Sequence, residues 1–324
     1  MNRRRTLLSL TLGALLAAAP LSAAGGGRAS ITPEDLRQWL SYVASDELQG
    51  RAVYSEGLGL AAGYIQGHLQ QWGLTPGGDR GSYLQTVRVL GVRATSRSSI
   101  TVQVGGETRT FKDGEGVTFP RNQGASRVQT IDRVEFAGYG LDAPGANYSD
   151  LKGRNYGQSA VVFIGQDGPR AVDADASRRL LGGRGRWLTD QMQAALSLTQ
   201  APPERQGTDA GADAPARGPN GLPRPDFTTA QRLDNVIAPN LTASDEVLQF
   251  LFSRAPAKYS DLRKKAENRE PLPSFRLEGV RITIRVDAEY SVVRTQLTQN
   301  IVAVVEGSDP GLRSTYVAIG AHYD

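Results

Sequence analysis

The spacing of apolar residues changes character near Tyr83, and that change limits the chain to a mixture of helix and sheet. Ahead of it, apolar residues recur at helical spacing. From Tyr83 onward the period is two, as in Leu84-Gln85-Thr86-Val87-Arg88-Val89 and Ile100-Thr101-Val102-Gln103-Val104. Side chains alternate sides along a strand and recur every three or four residues along a helix, so the first segment predicts helices and the second strands. Gly105-Gly106 predicts a hairpin turn from Ile100–Val104 into Thr108–Phe111. Further strands are expected at Val134–Ala137, Ala160–Ile164 and Val280–Val286, with Glu289–Thr295 returning to the sheet. The fold class is therefore α/β.

Two helices precede the strands. Thr32-Pro33-Glu34-Asp35 supplies an N-cap hydroxyl, a proline at the first helical position and carboxylates in the first turn. Leu36, Trp39, Leu40 and Val43 are expected on its buried side. The stretch Gly59–Gly73 places Leu60, Ala61, Tyr64, Ile65, Leu69 and Trp72 on one face, and Gly73-Leu74-Thr75-Pro76-Gly77-Gly78 stops it. His68 sits within this helix, where a surface or packing role is expected rather than metal ligation.

Composition removes several functional classes. The chain of 324 residues has a formal charge of +4, but its first 24 residues hold three arginines and no acid. Without them 37 basic side chains become 34 against 33 acidic ones, so no nucleic-acid partner is implied. That leader has a basic start at Arg3–Arg5, an apolar stretch from Leu7 to Leu21 and small residues Ser22-Ala23-Ala24. It predicts a secretory signal cleaved after Ala24, an exported (periplasmic or secreted) bacterial protein, and no stable membrane anchor afterwards. There are no cysteines, so stability cannot come from disulfide cross-links.

The middle of the chain differs from its flanks. Residues 201–226 are rich in Pro, Gly, Ala and Asp with little to bury, which predicts a mobile loop. Arg178–Arg186 is basic and glycine-rich and is expected as solvated surface. Internal repeats and a phosphate-binding glycine loop are both missing from the sequence.

The strongest chemical signal is at Gly320-Ala321-His322-Tyr323-Asp324, which follows an apolar run, Tyr316–Ile319, expected as a buried strand. Residues two apart on a strand face the same side, so His322 and Asp324 are expected to project together. A carboxylate that accepts one ring N–H fixes the tautomer and leaves the other nitrogen for a metal. Thr298–Gly307 is expected as the preceding strand, with Ser308-Asp309-Pro310-Gly311 as the turn between them.

In that order, residues 298–324 resemble the co-catalytic zinc aminopeptidases of peptidase family twenty-eight, where a strand of the type N-I-V-A-x-V-x-G precedes G-A-H-Y-D. Leu40–Arg51 is similar to an early L-A-S-D-E-L-x-G-R segment of the same family. Val134–Gly140, Tyr148–Gly153 and Ala160–Ile164 look like the start of a protease-associated (PA) domain, a β-rich module inserted in many exported peptidases. The resemblance implies a zinc-exopeptidase fold, incomplete here, with an inserted PA domain. Its expected layout is a signal at 1–24, the peptidase domain's first part at 25–109, the insert at 110–275, and the peptidase domain resumed over 276–324. It also implies two zinc ions per site, His322 as a metal ligand, Asp324 as its orienter, and a peptide substrate. The bridging Asp, the Glu-Glu pair, the further carboxylate and the final His of the family lie downstream of Asp324, so the chain as given is expected to be cut within the site and inactive. A glutaminyl-cyclase-like or carboxypeptidase-like enzyme on the same scaffold, or a non-catalytic PA/peptidase-like binding protein, are the alternatives.

Overall fold

The computed structural model describes residues 30–202 and 224–324; the signal segment and most of the loop expected at 201–226 lie outside the described residues. Two compact units are present: Leu84–Asn300, and Ile301–Asp324 together with Tyr83 and the described residues before it. The architecture is mixed α/β, with a large mixed sheet and flanking helices.

In the unit Leu84–Asn300, ten strands form the main sheet: β1 (Ser99–Val104), β2 (Glu107–Asp113), β3 (Gly116–Thr118), β4 (Arg127–Ile131), β5 (Val134–Ala137), β6 (Ala160–Phe163), β7 (Leu196–Gln200), β8 (Asn240–Ala243), β9 (Ser274–Arg276) and β10 (Val280–Val286). Their spatial order is β9-β5-β6-β7-β8-β3-β2-β1-β10-β4. The segments β5 to β8 are parallel neighbours, while β1, β2, β10 and β4 pair antiparallel. The expected hairpin forms at Gly105 (φ 54°) and Gly106 (φ 104°), positive angles that a tight two-residue turn needs at both central positions. Alternation in β1 and β10 sends Ile100, Val102, Ile282 and Ile284 into one core with Phe136, Val162, Leu198 and Leu241. The expected insert 110–275 lies inside this unit and shares its sheet with β1 and β10, which flank it in sequence.

The strands β7 and β8 have unlike faces. Leu196, Leu198, Leu241 and Ala243 enter the core. The residues between them, Ser197 and Thr199 on β7, lie in register with Asn240 and Thr242 on β8. Parallel strands covered on both sides normally read as apolar throughout, so this polar face is unusual. Helix α3 (Ala174–Arg186) lies against it.

Sequence composition predicted a solvated surface at Arg178–Arg186, and the structure corrects this. Arg184 is only 7% exposed. Its Nη1 donates to the Tyr139 carbonyl at 2.8 Å and the Gly165 carbonyl at 3.0 Å, and its Nη2 donates to Thr199 Oγ1 at 2.9 Å. The guanidinium also stands over the Phe163 ring, 4.5 Å from its centre. Burial lowers its pKa to about 10, which still leaves it charged at neutral pH. A long cation with five donors can be buried where carbonyls and a ring face are waiting for it; the glycine-rich setting allows the helix to come that close.

A buried acid holds the amides on either side of that peptide. Asp150 Oδ2 accepts the N–H groups of Tyr139 and Leu141, both at 3.1 Å, and its Oδ1 accepts the Tyr148 hydroxyl at 2.7 Å. Gly138 has φ 55°, and a Cβ there would stand 2.8 Å from Asp150 Oδ1, so the turn admits only glycine at this point. Burial pushes the Asp150 carboxyl up to about 6, against the downward pull of these three bonds and of Arg184.

In the other unit, helix α1 (Pro33–Val43) begins as expected. Thr32 Oγ1 accepts the Asp35 N–H, and the Asp35 carboxylate accepts the Thr32 N–H, a reciprocal capping box. Its expected buried side is corrected: no α1 residue is buried, and Leu40 is 61% exposed. Helix α2 (Glu56–Gln71) starts at Ser55 and buries Leu58, Ala61 and Ala62. Of the expected face only Ala61 is buried, while Leu60 and Trp72 are exposed. The reason is Leu48, fully buried in the turn before α2. A Cβ at Gly57 would lie 1.8 Å from the Leu48 carbonyl oxygen, so that close approach decides which face turns inward. His68 packs among rings, 4.6 Å from Tyr64 and 5.4 Å from Trp72 between centres.

The three glycines of α3 have opposite surroundings. A Cβ at Gly182 or Gly183 meets nothing within 4 Å, whereas one at Gly185 would sit 2.7 Å from Asn240 Oδ1. Gly182→Ala and Gly183→Ala should each raise unfolding stability by about 0.5–1 kcal/mol, and Gly185→Ala should lower it by about 1–3 kcal/mol, in denaturant melts. Asp150 gives a second test. Its folded pKa lies above the ordinary carboxylate value, so the folded chain binds the proton more tightly, and stability falls as pH rises from about 4 to about 6. Asp150→Asn lacks that ionisation. Wild type minus Asp150→Asn stability should therefore decline by about 1–3 kcal/mol between pH 4 and pH 7, read from melts at each pH.

Candidate functional site

The segment Ala288–Ile301 is a long strand and Ala303–Val304 a short one paired with Thr75–Pro76, so most of the expected strand Thr298–Gly307 forms. Asp309 then caps a short turn, Pro310–Leu312, by accepting the Gly311 N–H. Beyond it the expectation fails. Tyr316–Ile319 is neither a strand nor buried, and Val317 is 94% exposed. An apolar run becomes a strand only where another strand takes up its N–H and C=O groups and a layer covers its side chains. Among the described residues neither is present for this run.

The two predicted site residues are nonetheless in contact. His322 Nδ1 and Asp324 Oδ1 are 3.0 Å apart, and the His322 side chain is 95% exposed. With Nδ1–H donated to the carboxylate, Nε2 faces outward with its lone pair available. The bond from His322 holds the Asp324 carboxyl below its ordinary pKa, with Arg51 adding a smaller pull in the same direction. The pair is therefore a charged acceptor fixing an imidazole.

Sequence reasoning missed the residue that holds this segment. Arg51 Nε donates to the Tyr323 carbonyl at 2.9 Å, and its Nη1 donates to the Val43 carbonyl. Arg51 closes the turn Asp46–Arg51 that carries buried Leu48. The sequence signal for it was the Leu40–Arg51 block, which suggested kinship but gave no hint of contact with a carbonyl 272 positions away.

Among the described residues, no group of three His, Asp, Glu or Cys side chains is arranged to hold a metal. His322 and Asp324 fit one ligand position and its orienter. They do not complete a catalytic zinc site, which ordinarily takes three protein ligands. No helix among the described residues is long and apolar enough to cross a membrane.

No family model matches this chain, and no curated protein matches it significantly. Solved structures that it resembles include an aminopeptidase from Aneurinibacillus sp. strain AM-1, with a TM-score of 0.28 and 12% identity over 82% of this chain and 47% of that one. A peptidase M28 precursor from Shewanella amazonensis SB2B gives a TM-score of 0.31 and 13% identity over 84% of this chain and 53% of that one. The chain thus spans about half the length of these structures. Likeness at this level assigns neither activity nor site residues.

Proposed function

We propose that this chain is the front part of an exported zinc-dependent metallopeptidase, an aminopeptidase that removes N-terminal residues from peptides. The observation that carries the reading is the His322 Nδ1···Asp324 Oδ1 contact of 3.0 Å on an exposed imidazole. It sits within a motif order that resembles the peptidases of family twenty-eight. In such enzymes paired zinc ions lower the pKa of a bound water and polarise the scissile carbonyl. This chain's own contribution is narrower. Asp324 accepts a hydrogen bond from the His322 Nδ1–H, which leaves Nε2 as the metal-facing nitrogen, and Arg51 fixes the backbone between them through the Tyr323 carbonyl. Among the described residues no three His, Asp, Glu or Cys side chains are arranged to hold a metal, so the reading takes the other ligands and the general base from elsewhere in the complete protein. In this reading residues 110–275, with β5 to β8, are the PA insert, which shares one sheet with β1 and β10 of the flanking segments.

Two measurements test the proposal. The 324-residue chain alone should lose zinc on dialysis and should not hydrolyse an aminoacyl-anilide; tightly held zinc with turnover would overturn it. In the complete protein, His322→Ala should abolish activity and metal together. Asp324→Asn should cost about 10–100-fold in metal affinity or rate, partly restored by added zinc. Wild-type zinc affinity and rate in His322→Ala would sink the reading.

A further inference from the structure

The cleft between α3 and the polar face of β7 and β8 has a volume of about 490 Å³. We propose that it binds a small ligand carrying an oxyanion, a carboxylate or a phosphate. The site uses no residue of the His322–Asp324 pair.

Charge is the first argument. Arg184 and Arg186 both line the cleft, and among the described residues no carboxylate does. Arg184 is buried with neutral partners only: two carbonyls, one hydroxyl and the Phe163 ring. The acid that acts on it, Asp150, holds the N–H of Tyr139, whose carbonyl Arg184 holds, and is engaged by three donors of its own. Asp245, whose Oδ1 lies 3.5 Å from Gln200 Nε2 at the edge of the cleft, is taken up by Tyr259 and Arg263. Asp150 offsets part of the Arg184 charge, but no lining carboxylate matches Arg186, so the cleft keeps a net positive charge in a setting partly withdrawn from water, where an oxyanion gains most.

The floor supplies the matching polar groups. Ser197 and Thr199 stand beside Asn240 and Thr242 in register, putting hydroxyls and an amide on a sheet face that would ordinarily be apolar. Ser197 Oγ and Asn240 Oδ1 bond each other beneath Gly185 and Thr199 Oγ1 accepts from Arg184, which leaves the Asn240 amide nitrogen and the Thr242 hydroxyl as the floor groups open to a ligand where α3 leaves space. The third argument is that space. Gly182 and Gly183 line the cleft, and a Cβ on either would meet nothing within 4 Å. Each costs helix stability relative to alanine without any close contact to require it. Their bare backbone widens the cleft and lets a ligand reach the helix surface. The carbonyls at the end of α3 do not oppose an anion directly, because the chain continues helically through Trp187–Gln191.

Titration calorimetry on the 324-residue chain tests this with inorganic phosphate, succinate and uncharged succinamide at constant ionic strength. Saturable binding of phosphate or succinate, with none of succinamide, is expected; whichever anion binds tells phosphate from carboxylate. Arg186→Gln, an exposed side chain, should weaken binding about 5–10-fold. Arg178→Gln, on the same helix but outside the cleft and paired with Asp175, should leave it unchanged. Gly183→Leu should block binding with little change in melting temperature. Absence of saturable binding by both anions, binding indifferent to Arg186→Gln, or an equal loss in Arg178→Gln would overturn the proposal. Should Gly183→Leu fail to fold, the two arginine variants still decide.

Discussion

The backbone of Tyr139 is the point on which the larger unit depends. Its N–H is held by Asp150 and its carbonyl by Arg184, so a buried acid and a buried base grip the two successive amides on either side of one residue. Neither charge would tolerate burial alone, since an unpaired ion in a core costs far more than a single hydrogen bond returns. Gly138 makes the turn, and its carbonyl accepts the Ile164 N–H at the end of β6. From the other side Arg184 ties α3 to this turn, to Gly165 and to β7. A helix with three glycines in its last five residues has little reason to persist by propensity. Its arginine anchor supplies one.

The two regions with chemical potential are physically opposite. His322 and Asp324 lie on an exposed, extended segment and depend on one arginine for their place. Their geometry is local, two residues apart, and says little about what else surrounds a bound ligand. The cleft beside α3 is built from four separate stretches of sequence whose arrangement comes from the sheet register. A local pair can keep its geometry on an otherwise uncovered segment, whereas a site assembled by register exists only when the whole sheet does.

Features set by local physics were legible in the sequence. The Thr32–Asp35 capping box, the Gly105-Gly106 hairpin, the strands at Val134, Ala160 and Val280, and the contact between His322 and Asp324 all depend on residues a few positions apart. What could not be read depends on distant partners. Tyr316–Ile319 has the composition of a buried strand but no pairing neighbour among the described residues. The face of α2 is chosen by Leu48 and Gly57, not by the count of apolar residues along the helix. Arg184 looked like one more surface cation because its carbonyl acceptors come from turns at Tyr139 and Gly165. Arg51 is invisible for the same reason, as its partner is a backbone carbonyl at the far end of the chain.

The order of strands in the main sheet also has a kinetic meaning. The hairpin of β1 and β2 can form as soon as its residues exist, but its core-facing Ile100 and Val102 pair across to Ile284 and Ile282 of β10, near the other end of the unit. The parallel neighbours β5 to β8 are likewise joined by long crossovers, so closure entropy must be met before any of their contacts repay it. Little of the unit can be stable until nearly all of it is present. During synthesis an early hairpin with one apolar face would wait for a late strand, so the unit should fold as a whole, slowly, after its last strand has been made.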